Sequence, residues 1–306
     1  GTPLSELEAV LAEKGQCLPF EPPHFGPGAT VGGMVAAGLS GPARASVGAV
    51  RDYLLGVVLI NGRAELLTFG GQVMKNVAGY DVSRLMAGAW GTLGLLTEVS
   101  LKVLPVAPAE ATLRFECNQA DALRKLHAWG GQPLPLNASC WVEDAGVGQL
   151  YVRLRGAVAA VDAACKSMGG TRLDNATAAP DWQACREQTL PWFAARLARP
   201  GQALWRLSLP ATAPVLALPG GVSPLVEWHG ALRWVQAPLA HGDVLREAAR
   251  AVGGSASLFI ADGAGGERAG GQFDLKSAAL EQIHARLKHS FDPAGIFNPG
   301  RMAPQW

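Results

Sequence analysis

Residues 28–34 read GATVGGM and lie in a part of the chain that is dense in glycine and proline. Thr30 can cap a helix that begins at Val31, because its hydroxyl can accept a hydrogen bond from the first helical turn. The free N–H groups of such a turn favour a phosphate, and Gly32 and Gly33 remove side chains where a ligand must come close. The stretch predicts a phosphate or pyrophosphate cradle. A tight turn with close helix packing has the same pattern.

Four further stretches combine small and polar residues. SGP at 40–42 and GAVRD at 48–52 leave room for something flat and broad, although an ordinary glycine-rich loop has the same composition. KNVAGYD at 75–81 contains Lys75, which could neutralise a phosphate or be a solvated surface residue. GAWGTLG at 88–94 superficially matches the dinucleotide pattern GxGxxG, but its glycines precede a strand instead of linking a strand to a helix. A Rossmann domain is therefore not indicated.

Composition bounds the class of protein. The chain has 306 residues, of which 49% are hydrophobic and 17% charged, and its net charge is +1 at pH 7. This length predicts about two domains with substantial cores. The small net charge argues against a nucleic-acid partner and against electrostatic attachment to a membrane. No apolar run approaches the ~18 residues of a transmembrane helix, so no direct membrane span is expected. Five scattered cysteines without a CxxC pair favour reduced thiols in a cytosolic setting and no metal site.

The first third of the chain carries strand and turn signals. Leu54–Ile60 is almost wholly apolar and predicts a buried strand. Asn61-Gly62 is a strong hairpin signal, with Glu65–Phe69 as the return strand. Leu93–Leu104 predicts a long strand that prolines end. We place a domain boundary near Pro108.

Beyond that boundary the pattern changes. Thr112–Asp174 predicts the order β-α-β-β-α-β, which is the ferredoxin-like unit. A similar order recurs over Ala203–Ala261, with a short turn of helix near Val215, so two split βαβ units that can share one antiparallel sheet are expected. A helical connection over Asp181–Leu197 joins them. Ser277–His289 predicts a closing helix.

Taken in order, these motifs resemble the vanillyl-alcohol-oxidase type of FAD-binding fold. The residues of these motifs are most similar to those of the family of FAD-binding E subunits of bacterial glycolate oxidase. The motifs are TVGG at 30–33, LSGP at 39–42, RD at 51–52, GGQVMKN at 70–76, KNVAGYD at 75–81, GTLG at 91–94 and FDP…FNPGR at 291–301. The resemblance implies an α+β fold. Residues 1–108 would form the second subdomain of a PCMH-type FAD-binding domain, 109–276 a ferredoxin-like antiparallel-sheet cap, and 277–306 a helix and tail that return to the FAD-binding domain.

The resemblance also implies FAD as the cofactor and suggests which residues hold it. The turn at 30–33 would hold the pyrophosphate and neighbouring ribityl, the small residues between 40 and 48 would lie along the ribityl or ring, and Asp52 would lie near the adenosine. Leu95 would contact the adenine or ring system, and Asn298 would return towards the flavin. The implied cofactor-binding set is Thr30, Val31, Gly32, Gly33, Ser40, Gly41, Gly48, Asp52, Lys75, Gly94, Leu95 and Asn298.

The chain departs from the family pattern in two places. The family's earlier Gly/Ser-rich pyrophosphate loop lies on an N-terminal subdomain, and residue 1 of this chain already falls within the later pattern. We expect a chain without that loop to bind FAD less tightly, because part of the cradle is missing. Related 2-hydroxy-acid dehydrogenases carry a His-Gly-Glu-His type cluster for metal and substrate, whereas residues 261–266 read ADGAGG here. No metal ligands are therefore predicted.

The catalytic residues are not fixed by any motif. Oxidation of a 2-hydroxy acid needs a carboxylate clamp and a base for the hydroxyl proton, besides a hydride acceptor. Arg233 and Arg301 are the candidate clamps, and His229 is the candidate base. A strand arginine is more often a half-exposed surface residue, and a single strand histidine is more often structural. Three tryptophans could also mark a partner surface: Trp205, Trp228 and Trp234.

The resemblance implies the FAD-binding subunit of a glycolate oxidase (glycolate dehydrogenase) complex, which oxidises glycolate, a small 2-hydroxy acid, to glyoxylate and passes electrons onward. The expected partners are a larger FAD subunit and an iron–sulfur subunit, since no cysteine spacing here fits a cluster. A stand-alone FAD-linked oxidoreductase of unknown substrate and a non-catalytic assembly subunit that keeps the flavoprotein fold are the alternatives. We expect a cytoplasmic chain that meets a membrane only through its complex.

Overall fold

The computed structural model of the chain describes residues 1–71, 80–198, 201–261, 273–274 and 277–303. The chain forms two compact units. The first comprises Gly1–Gly41, Gly48–Val106 and the described part of Gly270–Trp306. The second comprises Pro42–Val47 and the described part of Ala107–Ala269. The predicted ranges place the short segment Pro42–Val47 with the FAD-binding domain, whereas in the structure it belongs to the second unit, which resumes at Ala107.

Helices and strands both occur throughout the described chain. The helices are α1 (Leu4–Glu13), α2 (Val31–Ala37), α3 (Arg44–Val47), α4 (Val50–Tyr53), α5 (Val82–Leu85), α6 (Gln119–Gly130), α7 (Val158–Met168), α8 (Asn175–Glu187), α9 (Pro191–Ala194), α10 (Gly242–Ala251) and α11 (Ala278–Phe291). The strands are β1 (Gln16–Cys17), β2 (Leu54–Ile60), β3 (Leu66–Gly70), β4 (Leu95–Leu101), β5 (Leu104–Pro105), β6 (Ala109–Glu116), β7 (Leu136–Asp144), β8 (Val147–Gly156), β9 (Thr171–Leu173), β10 (Gln202–Ser208), β11 (Leu225–Glu227), β12 (Leu232–Pro238) and β13 (Ser255–Ile260). None of the described helices combines the length and apolar character that crossing a membrane requires.

The first unit is built around an antiparallel sheet of order β3-β2-β4, with β1 and β5 pairing separately. The apolar run Leu54–Ile60 forms the central strand, as predicted, and its side chains join a core that includes Leu4, Phe20 and Val35. The predicted long strand Leu93–Leu104 is wrong in extent, because it is divided into β4 and β5. The sheet and its core position the α2 turn.

The predicted hairpin is confirmed, because β2 and β3 pair antiparallel on either side of a turn that begins at Asn61. Asn61 Oδ1 accepts from the N–H groups of Arg63 and Glu65, at 2.9 and 3.0 Å, and the left-handed residue is Ala64. Gly62 is needed for a different reason. A Cβ there would lie 2.3 Å from Oδ1 and 2.7 Å from Cα of Asp292. The glycine therefore lets the C-terminal segment pack against the hairpin, a requirement that local turn chemistry does not reveal.

The second unit contains one eight-stranded sheet of order β13-β10-β12-β11-β7-β8-β6-β9. Its two halves repeat the ferredoxin-like arrangement, and they join where β11 pairs with β7. The predicted pair of split βαβ units in a shared sheet is confirmed. The helix predicted near Val215 is wrong, because the described structure there is an extended loop before a 3₁₀ turn at Pro219–Gly221. The connecting helix begins earlier than predicted, at Asn175, where the Asp174 carboxylate caps it.

The C-terminal helix α11 follows its predicted cap, and Ser277 Oγ accepts from the Leu280 N–H. The tail beyond it is fixed by a buried ion pair. Lys288 Nζ donates to Asp292 at 2.5 Å and to the carbonyls of Thr92 and Phe297, each at 2.8 Å. Burial opposes the charged form of Asp292. Hydrogen bonds from Lys288 and from backbone N–H groups outweigh it, so the pKa of the carboxyl lies below its usual value.

Candidate functional site

The α2 turn is formed as the sequence predicts. Thr30 has extended backbone angles (φ −115°, ψ 156°), and its Oγ1 accepts a 3.0 Å hydrogen bond from the Gly33 N–H. The first-turn donors are less available than expected, because the Val31 N–H donates to the Thr2 carbonyl and the Met34 N–H to that of Thr30. Within the described residues, Gly32 carries the N–H of this turn that has no acceptor.

A groove of about 230 Å³ lies beside this turn. A Cβ added to Gly28 or Gly32 would meet no atom within 4 Å, and neither residue has a positive φ. The fold therefore does not require glycine at these two positions. Glycine there keeps the approach to the backbone open, which is what a ligand needs. The groove is lined by Pro22, Pro23, His24, Phe25, Gly28, Ala29, Thr30, Gly33, Met34, Ala37 and Leu39.

The predicted residues between 40 and 52 make contacts within the chain. Ser40 Oγ accepts from the first N–H of α4 at 3.4 Å, and the Gly41 N–H donates to the Phe20 carbonyl at 2.9 Å. Asp52 Oδ2 accepts from the N–H of the residue before α4 at 2.8 Å. Gly48 has a φ of +98°, and a Cβ there would lie 2.9 Å from that carboxylate oxygen. Each of these residues thus has a structural role, and contact with FAD stays a prediction for all four.

Gly94 and Leu95 lie at the start of β4 in the first unit, and Asn298 lies in the tail. Gly94 packs against β2, since a Cβ would lie 2.6 Å from the Ile60 carbonyl oxygen. Leu95 is 56% exposed and free to contact a ligand. Lys75 lies outside the described residues.

Asn298 and Arg301 both bind one turn of the first unit. Asn298 Nδ2 donates to the Trp90 carbonyl at 2.8 Å, and a Cβ on Gly91 would lie 2.8 Å from that nitrogen. The Arg301 guanidinium lies 4.7 Å from the Trp90 ring centroid. Arg301 therefore belongs to the first unit, whereas His229 and Arg233 belong to the second.

The prediction that His229 lies in a strand is wrong. It lies in a 3₁₀ turn at Trp228–Gly230, where its φ is +55°. Its Nδ1 lies 3.0 Å from Ser139 Oγ, which also accepts from the His229 N–H at 2.9 Å. Its Nε2 lies 2.8 Å from Ser46 Oγ. Burial lowers the pKa of His229 to about 4, so the imidazole is neutral at physiological pH.

Arg233 is fully buried, and it is placed to hold a loop rather than a substrate. Its guanidinium donates to the carbonyls of Ala213 and Pro214 at 2.7 and 2.6 Å. These carbonyls belong to the loop that stands where the second split βαβ unit lacks its first helix. Burial lowers the pKa of Arg233 to about 10. An arginine in a predicted strand fits this role and that of a carboxylate clamp equally well, so the two could not be distinguished before the fold was known.

Two arginines that the sequence did not single out contact Trp228. The Cζ of Arg44 lies 4.4 Å and the Cζ of Arg206 5.1 Å from its ring centroid. The feature of the sequence that could have drawn attention to Arg44 and Ser46 is their position shortly after the SGP motif at 40–42. The predicted partner surface of tryptophans is wrong, because Trp205, Trp228 and Trp234 are only 2%, 4% and 3% exposed.

Comparison with known proteins gives the fold and the relatives of this chain. Residues 1–70 match the family model described as FAD binding domain, as the sequence predicted. The chain is 47% identical to glycolate oxidase subunit GlcE of Escherichia coli (strain K12) over 302 residues, which cover 99% of this chain and 80% of that protein. It is 35% identical to glycolate oxidase subunit GlcD of Bacillus subtilis (strain 168) over 93 residues, 30% of this chain and 20% of that protein.

A solved structure shares the fold over nearly the whole length. A chain of alkyldihydroxyacetonephosphate synthase matches with a TM-score of 0.63 and 16% identity, covering 96% of this chain and 62% of that one. This chain thus spans about three fifths of the solved structure. The predicted α+β class, with a PCMH-type FAD-binding domain and a ferredoxin-like antiparallel sheet, is confirmed.

Proposed function

Because this chain belongs to the family of glycolate oxidase subunit GlcE, we propose that it is the FAD-binding subunit of a complex that oxidises glycolate to glyoxylate and passes the electrons to further acceptors. The observation that carries the proposal is the 47% identity over 99% of the chain, which includes both units. The shorter match to GlcD supports a larger flavoprotein subunit of that type as a partner. An iron–sulfur subunit is proposed as the further electron acceptor.

The residues present fit a flavin dinucleotide at the α2 turn. Thr30 fixes the turn, Gly32 offers an N–H without an acceptor among the described residues, and Gly28 and Gly32 leave the approach open. An N–H at a helix N-terminus is a suitable partner for a phosphate oxygen. Bound FAD supplies the hydride acceptor for the oxidation. Leu95 offers an exposed apolar surface on the same unit for an aromatic ring system.

The proposal is tested on the complex assembled with the full chain. Flavin content is measured per complex, and glycolate is then added without oxygen while the visible flavin absorbance is followed. We expect this subunit to add its own flavin to the total, and glycolate to bleach the absorbance. Full flavin content without bleaching would contradict glycolate as the substrate. A complex whose flavin content does not change when this subunit is left out would instead indicate a non-catalytic assembly subunit.

A further inference from the structure

The second unit holds two guanidinium groups against one indole ring. Arg44 comes from α3 and Arg206 from β10, and both contact Trp228, at 4.4 and 5.1 Å from the ring centroid. Guanidinium groups stack on aromatic faces and still present their N–H edges to an acceptor. This arrangement orients both guanidinium groups on the indole ring.

Keeping these two cations close together carries an electrostatic cost. Burial and, after it, the positive charge of Arg44 lower the pKa of Arg206 to about 10, while the charge of Glu227 acts in the opposite direction. A region that brings like charges together in partly desolvated surroundings favours an anion. A carboxylate suits two guanidinium groups in particular, because it can accept paired N–H donors in a fixed plane.

A neutral hydrogen-bonding pair is formed by residues close to Arg44 and Trp228 in the chain. Ser46 is on the same short helix as Arg44, and its Oγ lies 2.8 Å from Nε2 of His229, the residue directly after Trp228. The Ser46 side chain is exposed. Since the imidazole is neutral at physiological pH, the pair can donate to or accept from a hydroxyl without adding a charge.

We propose that Arg44 and Arg206 bind the carboxylate of a small 2-hydroxy acid, and that the Ser46–His229 pair binds its hydroxyl. The juxtaposition of two guanidinium groups and a neutral polar pair around Trp228 matches the charge and the neighbouring hydroxyl of such a ligand. This inference rests on the proposed function, and it replaces Arg233 and Arg301 as the carboxylate-binding residues. Arg44 and Arg206 are here substrate-binding residues, and Ser139 positions His229.

The test uses the complex assembled with full-length variants of this chain. Arg44→Met should raise the KM for glycolate about 10- to 100-fold, because it removes one charge-assisted hydrogen-bonding group. The flavin content should not change. Arg44→Lys should also raise KM, because lysine keeps the charge but loses the planar pair of donors. The matched control is Arg246→Met, which removes a similar guanidinium–indole contact, 5.5 Å over Trp205 in the same unit, and should leave KM unchanged.

The outcomes separate this inference from the proposed function. A folded Arg44→Met complex with the wild-type KM overturns the subsite, while glycolate still bleaches the flavin and the proposed function stands. If glycolate does not bleach the wild-type complex, the proposed function fails, and the subsite is tested by calorimetry of glycolate with the full chain. The subsite is supported if glycolate binds and if Arg44→Met and Arg44→Lys weaken this binding while Arg246→Met does not. It is overturned if glycolate does not bind.

Discussion

Ser46 Oγ lies 2.8 Å from Nε2 of His229, although 183 positions separate the two residues in sequence. The contact forms because Pro42–Val47 belongs to the second unit, like His229, although the residues on either side of it in sequence belong to the first. With Ser139 at its Nδ1, the imidazole has a hydroxyl partner at both ring nitrogens. His229 is therefore a half-buried, neutral and oriented side chain, and its predicted part in proton transfer stays a prediction.

The burial of His229 predicts a pH-dependent stability. Its pKa falls from 6.5 in the unfolded chain to about 4 in the fold, so the unfolded state binds the extra proton as the pH drops through this window. The stability contributed by neutral His229 is therefore fully present above the pKa of the unfolded state, and it is lost as the pH falls towards the pKa of the folded state. Between pH ~7 and ~5 we expect a loss of about 2 kcal/mol from this residue. Denaturant unfolding of wild type and His229→Gln at both pH values measures it.

The control for this prediction is His127→Gln, which changes an exposed histidine on α6. In His127→Gln the free energy of unfolding should depend on pH as it does in wild type. In His229→Gln the part of that dependence contributed by His229 should be absent. If wild type and His229→Gln lose the same free energy of unfolding on acidification, His229 is not buried in its neutral form.

The buried ion pair at the C-terminus predicts a strong effect of one substitution. Lys288→Met leaves the Asp292 carboxylate, which is 2% exposed, without its buried cation. We expect a loss of about 3–5 kcal/mol in the free energy of unfolding. The exposed pair Arg124–Asp121 provides the control, since Arg124→Met should cost less than about 1 kcal/mol. Equal losses in the two variants would show that Lys288 is not a buried anchor.

Gly62 should tolerate no side chain. A Cβ there would overlap the backbone and carboxylate of Asp292, so Gly62→Ala should cost about 1–3 kcal/mol through overpacking. Gly130→Ala, at the end of α6, meets nothing within 4 Å and should be neutral or slightly stabilising. Thermal unfolding of both variants compares them. A Gly62→Ala protein as stable as wild type would refute the close approach of the two segments.

Substitutions at Gly32 distinguish a role of the α2 turn in cofactor binding from a purely structural role. Gly32→Asp places a carboxylate at the free N–H of the turn without an overlap inside the chain. A negative charge at a helix N-terminus is favourable for the helix, so the fold should remain stable. The same charge repels a pyrophosphate, and we expect the flavin content of this subunit to fall sharply. Gly32→Ala, which adds no charge, is the control. Unchanged flavin in Gly32→Asp would remove the turn from the FAD site.

Much of the fold follows from local patterns. Leu54–Ile60 is apolar enough to be a central strand wherever it pairs, and the order of elements over Thr112–Asp174 is that of a ferredoxin-like unit. The Thr30 cap is likewise local, because its hydroxyl and the Gly33 N–H are three residues apart. The family resemblance also rests on short motifs with fixed spacing, which explains why the FAD-binding class could be predicted.

The α2 turn, the repeated order of strands in the large sheet and the family could be predicted from local sequence, because each depends on residues close together in the chain. The roles of Gly62, Arg233 and His229 depend instead on contacts made in the folded chain. Gly62 meets Asp292, Arg233 meets a loop that replaces a helix, and His229 meets Ser46 across 183 positions. The environment of a buried charge or of a glycine contact comes from segments distant in sequence, so burial, partners and pKa become defined only when the chain is folded.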